Sequence, residues 1–149
     1  MYKRIVVAVD GSKTSDKALD EATKLARVMN SIILLLHVCE EIPIMWEPDG
    51  LHMVLMRNSL EAVANAGKEL LEKHKIKLTE QDMTAETKLV ETYDGRIGSV
   101  ISEEAQQWNA DLLVVGTHGR KGIAHLLMGS VAEAVARSAS MPVLLVRNN

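Results

Sequence analysis

The sequence predicts a three-layer α/β domain, in which a parallel sheet is covered by helices on both faces. Short, almost unbroken apolar runs alternate along the chain with longer segments of helical period. Continuous apolar runs are typical of strands buried on both faces, and strands that alternate with helices join into a parallel sheet through right-handed crossovers. Since the chain has 149 residues, we expect a single domain over residues 1–149.

Five segments have the pattern of strands. Four are apolar runs bounded by turn-forming residues, at positions 5–9, 32–38, 112–115 and 143–146. The fifth, at positions 83–92, alternates between apolar and polar residues, which is typical of a more exposed strand at the edge of a sheet.

Helical segments separate these strands. Apolar residues spaced by three and four positions form a stripe between residues 18 and 29, with Ser12, Thr14 or Ser15 available as the N-cap. Similar stripes occur at 60–74, 97–108 and 131–138, and the last ends before Pro142. The predicted order is therefore β-α-β-α-β-α-β-α-β.

One long connection interrupts this alternation, from residue 39 to residue 53. Connections of this length are more often functional or partner-facing than idle, although packing of Trp46 onto the domain is an equal alternative.

The composition excludes several classes of protein. With 17 basic and 20 acidic residues the net charge is −3, and two Trp, two Tyr and no Phe leave few rings for stacking on bases, so a nucleic-acid surface is not expected. The single cysteine, Cys39, rules out a disulfide framework and a multi-cysteine zinc site. No apolar run approaches the about 20 residues of a membrane span, and the N-terminal run is short for a signal sequence. We expect a cytoplasmic protein with no membrane partner.

The loops after the first and fourth strands carry the residues best suited to ligand binding, because ligands of open α/β sheets lie beyond the carboxyl ends of the strands. Asp10-Gly11-Ser12 follows the first strand, and Gly116-Thr-His-Gly119-Arg-Lys follows the fourth and leads to Gly129-Ser130. Glycines let a backbone approach a ligand closely, helix N-termini attract anions, and Arg120 suits phosphate oxygens. This pattern indicates a phosphate cradle. The alternative is that the glycines are turn residues and Ser130 an N-cap.

The spacing Gly116-x2-Gly119-x9-Gly129-Ser130 resembles the G-2x-G-9x-G(S/T) nucleotide-binding signature of the universal stress protein family. The resemblance extends over the chain, through the segments 5–12, 36–38, 110–116 and 140–147. It implies a Rossmann-like, open twisted sheet of five parallel strands in the order 3-2-1-4-5 and a homodimer. It also implies ATP at the point where the strand order reverses, in a regulator or stress-tolerance factor rather than a fast enzyme.

The same resemblance assigns the site residues. Ala8, Val9 and Asp10 would line the floor, and Val38 would meet adenine through its backbone. The residues around ribose and phosphates would be Gly116, His118, Gly119 and Arg120, and those that hold the phosphate tail would be Gly129, Ser130 and Val131. Asp10 would accept a hydrogen bond from ribose or adenine or hold Mg²⁺ through water, unless it only forms the turn before Gly11.

Two other functions stay open. The first is a nucleotide-independent interaction module that uses the connection 39–53. The second is a weak ATPase, at most a slow one, because near the glycine loop only Asp10 and His118 have the chemistry of a base. His118 and His125 lack the partners of a metal site, His37 is expected in the core, and His74 is expected on a helix surface.

The pattern of the final strand predicts a dimer. Residues 142–146, from Pro142 to Val146, would form an apolar edge of the sheet, and such an edge favours pairing with a second copy of the chain.

Overall fold

The computed structural model describes residues 1–40, 50–119 and 127–148. The elements follow the predicted alternation: β1 (Arg4–Ala8), α1 (Lys13–Met29), β2 (Ile32–Glu40), α2 (Gly50–Thr79), β3 (Ala85–Thr92), α3 (Ile97–Gln107), β4 (Leu112–Gly116), α4 (Ser130–Ser138) and β5 (Val143–Val146).

The five strands form one sheet in the order β3-β2-β1-β4-β5, and every neighbouring pair is parallel. The predicted fold class and strand order are thus confirmed, with β3 and β5 at the two edges. Because β1 lies between β2 and β4, the chain moves outward in opposite directions from β1, and the loops after β1 and β4 leave the sheet side by side. This is the position at which open α/β sheets bind ligands.

Two apolar clusters hold the layers together, one on each face of the sheet. Ile5 and Val7 of β1 face α1 and α2, whose buried residues include Leu19 and Leu71. Val6 faces the opposite side, where α3 and α4 pack. This alternation follows from the two-residue period of a strand, and it explains why the central runs are apolar at every position.

Both ends of the predicted loop at 39–53 are regular structure, which corrects that interpretation. Strand β2 continues to Glu40, and helix α2 begins at Gly50. The apolar stripe failed to locate this helix start because Met53, Val54 and Leu55 are each more than half exposed, so no stripe marks a buried face there. Residues 41–49, including Trp46, lie outside the described residues.

The expectation that His74 lies on the surface is also wrong. His74 is 8% exposed and continues the buried spacing of Gly67 and Leu71 on α2. Its Nε2 lies 3.5 Å from Oδ1 of Asp16, in the first turn of α1. Burial lowers the pKa of His74 below its ordinary value, and the charge of Asp16 partly opposes that shift.

Candidate functional site

The loop after β1 is held by hydrogen bonds among its own residues. Ser12 is the N-cap of α1, and its hydroxyl accepts from the Ser15 N–H at 3.1 Å. Oδ1 of Asp10 accepts from the Ser12 N–H at 2.9 Å. Gly11 between them has a φ of +79°, a left-handed conformation that favours glycine. The carboxylate of Asp10 is therefore fixed at the carboxyl end of β1.

The loop after β4 is closed at its base by two further interactions. The Gly129 N–H donates to the Thr117 carbonyl at 2.7 Å. The ring of His118 bridges two groups, since Nε2–H donates to the Leu127 carbonyl while Nδ1 accepts from the Thr117 hydroxyl at 3.0 Å. The start of α4 is thereby brought back beside the end of β4. Arg120 and His125 lie in the stretch outside the described residues.

The two loops meet at Gly119. A Cβ atom built on Gly119 would lie 3.0 Å from Oδ2 of Asp10, so the carboxylate packs against the backbone of the glycine loop. The structure thus brings together two loops whose contacting residues are more than one hundred positions apart in the sequence. No sequence pattern specifies this contact.

At Gly116 and Gly129, the space that a side chain would need is occupied by other atoms of the protein. A Cβ at Gly116 would lie 2.7 Å from Cγ2 of Thr14, because the first turn of α1 packs on the end of β4. A Cβ at Gly129 would lie 3.0 Å from the Thr117 carbonyl oxygen, which closes the loop. Thr14 and Thr117 are not among the site residues expected from the sequence. The glycines that pack against them, Gly116 and Gly129, are the sequence feature that could have indicated these close contacts.

Three of the expected apolar residues lie on one face of the sheet. Ala8, Val38 and Val131 are half-buried and pack against the cluster beneath α3 and α4. Val9 is 2% exposed and belongs to the opposite cluster, so its side chain is not part of this surface. Ala8 and Val38, at the carboxyl ends of the neighbouring strands β1 and β2, offer a small apolar floor, and Val131 lies in the first turn of α4. The side chain of Val9 is buried on the other face of the sheet.

Helix α4 presents its N-terminus at the same edge. Gly129 is the N-cap and forms no side-chain cap hydrogen bond, and Ser130 is the first helical residue, with an exposed side chain. Ser130 is therefore not the N-cap. The first-turn N–H groups and the helix dipole favour an anion here.

The described residues contain no group of three or more His, Cys, Asp or Glu side chains placed to hold a metal ion. The carboxylate of Asp10 lies at the junction of the two loops. Within the same described ranges, no helix has the length and apolar character needed to cross a membrane.

The fold is thus an open parallel α/β domain in which the loop after β4 closes onto the N-terminus of α4. The model of the universal stress protein family matches residues 1–147. A universal stress protein from Methanocaldococcus jannaschii is 33% identical over 147 residues, covering 99% of this chain and 83% of that protein. The chain belongs to the universal stress protein family.

Solved structures agree with this assignment. UspA from Lactobacillus plantarum has a TM-score of 0.82 at 22% identity, covers 98% of each chain, and shows the fold. A family member from Arabidopsis thaliana with AMP bound has a TM-score of 0.67 at 26% identity and covers 99% of this chain and 92% of its own. A universal stress protein in complex with cAMP has a TM-score of 0.70 at 25% identity and covers 99% of both.

Proposed function

We propose that this chain binds an adenine nucleotide, ATP with Mg²⁺, at the carboxyl edge of the sheet, and that it acts as a nucleotide-dependent regulator. The observation that carries this proposal is the meeting of the two loops, with Gly119 packed on the carboxylate of Asp10 beside the N-terminus of α4. The arrangement supports the proposal because an apolar floor is suited to a base and a helix terminus is suited to phosphate.

Each part of the ligand has a suitable place. The base would lie on Ala8 and Val38, which are half-buried and carry no charge. The phosphates would lie at the first turn of α4, where Ser130 and Val131 begin the helix and Ser130 adds a hydroxyl. Arg120, which follows Gly119 in the sequence, is the cation proposed for phosphate. Asp10 would repel phosphate oxygens, so its role would be to accept from ribose or to hold Mg²⁺ through water.

The comparisons support the adenine class of ligand. The Arabidopsis relative is described with AMP and another family member with cAMP, both at about one quarter identity to this chain. The preference for ATP over these monophosphates is our proposal. It rests on the full glycine spacing and on the open first turn of α4.

Rapid hydrolysis is not expected. Both ring nitrogens of His118 are engaged, one by the Thr117 hydroxyl and the other by the Leu127 carbonyl. Oδ1 of Asp10 accepts from the Ser12 N–H. Since a general base needs a lone pair within reach of the attacking water, these bonds occupy the one lone pair of the His118 ring and one oxygen of Asp10, and we propose a binding protein rather than a fast ATPase.

Calorimetric titration of the protein with ATP, AMP, cAMP and GTP, each with and without Mg²⁺, tests the proposal. We expect ATP with Mg²⁺ to bind most tightly and GTP to bind weakly. Chromatography of the bound nucleotide over several hours distinguishes binding from turnover. Failure of every adenine nucleotide to bind at millimolar concentration would disprove the nucleotide function.

One observation favours a second function, a nucleotide-independent interaction module. Met53, Val54 and Leu55 are each more than half exposed at the start of α2, next to the undescribed stretch 41–49. An apolar helix end of this kind is suited to contact with another protein. This function is favoured if the site stays empty under saturating MgATP.

A homodimer through β5 is part of the proposal. β5 is an edge strand, and Leu145 is 37% exposed on it. Edge strands without charged side chains pair readily with a second copy, and a two-fold arrangement closes the contact.

A further inference from the structure

The hydrogen bonds between β1 and β2 follow a fixed register. The Ile32 N–H donates to the Lys3 carbonyl at 2.9 Å, and the Val9 N–H donates to the Leu36 carbonyl at 2.9 Å. In this register the even-numbered residues of β2 direct both backbone groups toward β1. The odd-numbered residues face β3, as the bond from the Ile33 N–H to the Thr84 carbonyl shows.

Continuation of this register would pair the Val38 N–H with the Val9 carbonyl, because each step advances both strands by two residues. The ladder instead ends at the pair of Ala8 and Leu36. The Val9 carbonyl accepts from the side chain of His37, whose Nδ1 lies 2.6 Å from the oxygen. A side chain of β2 thus takes the place that the next backbone N–H of the same strand would occupy.

We propose that His37 is a positioning residue for the nucleotide base. By occupying the Val9 carbonyl, it ends the β1–β2 ladder one step early and leaves the N–H and C=O of Val38 directed past the end of β1. These two groups form an adjacent donor and acceptor beside the apolar floor of the site. The inference rests on the proposed nucleotide function and adds to it the residue that prepares the base contact.

The ring of His37 is held in this orientation by α2. A Cβ on Gly67 would lie 2.7 Å from Cδ2 of His37, so the helix backbone packs directly on the ring. The ring is 7% exposed. Since the Val9 carbonyl accepts, Nδ1 carries the hydrogen, and the tautomer is set by this bond.

His37 also acts on the neighbouring peptide. The Val9 carbonyl belongs to the same peptide plane as the Asp10 N–H, which lies 3.3 Å from the Ser15 hydroxyl. One bond on each side fixes the orientation of this peptide. The imidazole therefore positions both expected contacts of the nucleoside, the backbone of Val38 and the start of the Asp10 loop.

The donor and acceptor of Val38 distinguish purine bases. Adenine presents an acceptor at N1 and a donor at N6, which match the N–H and C=O of one extended residue. Guanine presents a donor at N1 and an acceptor at O6, the reverse pattern. A site built to hydrogen-bond one pattern rejects the other because polar groups are left unpaired.

Two variants separate positioning from packing. His37→Leu keeps a branched side chain of similar reach but removes the donor, so the Val38 N–H can return to the Val9 carbonyl. His37→Asn loses ring volume but places an amide N–H where Nδ1 stands. If His37 acts by positioning, the affinity for ATP is kept in His37→Asn, which retains a hydrogen-bond donor. If His37 acts only by packing, the affinity is kept in His37→Leu, which retains the size of the side chain.

We expect His37→Leu to bind ATP about tenfold more weakly, as the loss of one base hydrogen bond, about 1.4 kcal/mol, would produce. Its discrimination between ATP and GTP should fall by a similar factor. His37→Asn should stay within about threefold of the unchanged protein, even where denaturant unfolding shows it to be the less stable variant.

Hydrogen exchange of the Val38 amide, followed by NMR without nucleotide, gives an independent measurement. Protection should rise in His37→Leu, as the ladder extends, and stay unchanged in His37→Asn. If His37→Leu keeps both its ATP affinity and its Val38 exchange rate, the inference is wrong while the nucleotide function stands. If the unchanged protein binds no adenine nucleotide, the proposed function and the inference fall together.

Discussion

The contact between Gly119 and Asp10 allows a direct test of the site. Replacing Gly119 by Ala places a Cβ 3.0 Å from Oδ2 of Asp10, which is closer than ordinary carbon–oxygen contact, so the carboxylate must retreat by a few tenths of an ångström. Gly119 itself is exposed, and its φ is not in the left-handed region. Because the site is exposed, the free energy of unfolding should change by less than about 0.5 kcal/mol.

The effect on binding should be larger than the effect on stability. The added methyl group displaces the carboxylate proposed to contact ribose or Mg²⁺, and it reduces the space in which the ligand passes the glycine loop. We expect Gly119→Ala to weaken ATP binding about tenfold, equivalent to about 1.4 kcal/mol, and Gly119→Val to weaken it further.

The assay is calorimetric titration with MgATP, together with denaturant unfolding of each variant. Gly50→Ala is the matched control, since a Cβ on Gly50 has no atom within 4 Å and lies at the start of α2. The control should bind ATP as the unchanged protein does. Unaltered affinity in Gly119→Ala and Gly119→Val, with both variants folded, would refute the assignment of the site to this junction.

Three further predictions concern the fold and its assembly. Gly116→Ala should lower the free energy of unfolding by about 1–3 kcal/mol in denaturant titration, because its Cβ would lie 2.7 Å from Thr14 Cγ2 and 3.1 Å from the Thr14 backbone; an unchanged midpoint would show that α1 shifts freely. The pKa of His74 is lowered mainly by burial, so the unfolded state takes up its proton first and stability should fall as the pH drops below about 6.5. His74→Leu should reduce this dependence between pH 7 and pH 5, and an identical pH profile in the variant would contradict it. Leu145→Lys, on the edge strand β5, should convert a dimer to a monomer in sedimentation equilibrium, and a dimer that persists would place the interface elsewhere.

The fold was predictable because its signals are local. Unbroken apolar runs specify strands buried on both faces, and the period of Ala18, Ala22 and Ala26 specifies a helix without knowledge of its neighbours. The start of α2 was not predictable from an apolar stripe, since Met53 and Val54 are exposed and carry no period that points to a core.

The candidate site was predictable in its residue types and not in its contacts. The glycine spacing located the loop after β4, and the alternation of elements placed it beside the loop after β1. Gly119 lies against Asp10, whereas Gly116 faces Thr14 and Gly129 faces the Thr117 carbonyl, and the spacing of the glycines does not distinguish these three environments. Likewise, the side chain of Val9 faces the cluster beneath α1 and α2, because it continues the alternation of β1 one residue beyond Ala8.

The sequence by itself determined the alternating elements, the open parallel sheet and the loop that carries the glycines, because apolar period and turn chemistry act over a few neighbouring residues. Only the tertiary structure decided which of these glycines leaves room at the site and that the ring of His37 takes the carbonyl of Val9. Those contacts join residues from different strands and helices. Their geometry follows from the packing of whole elements, which no local pattern specifies.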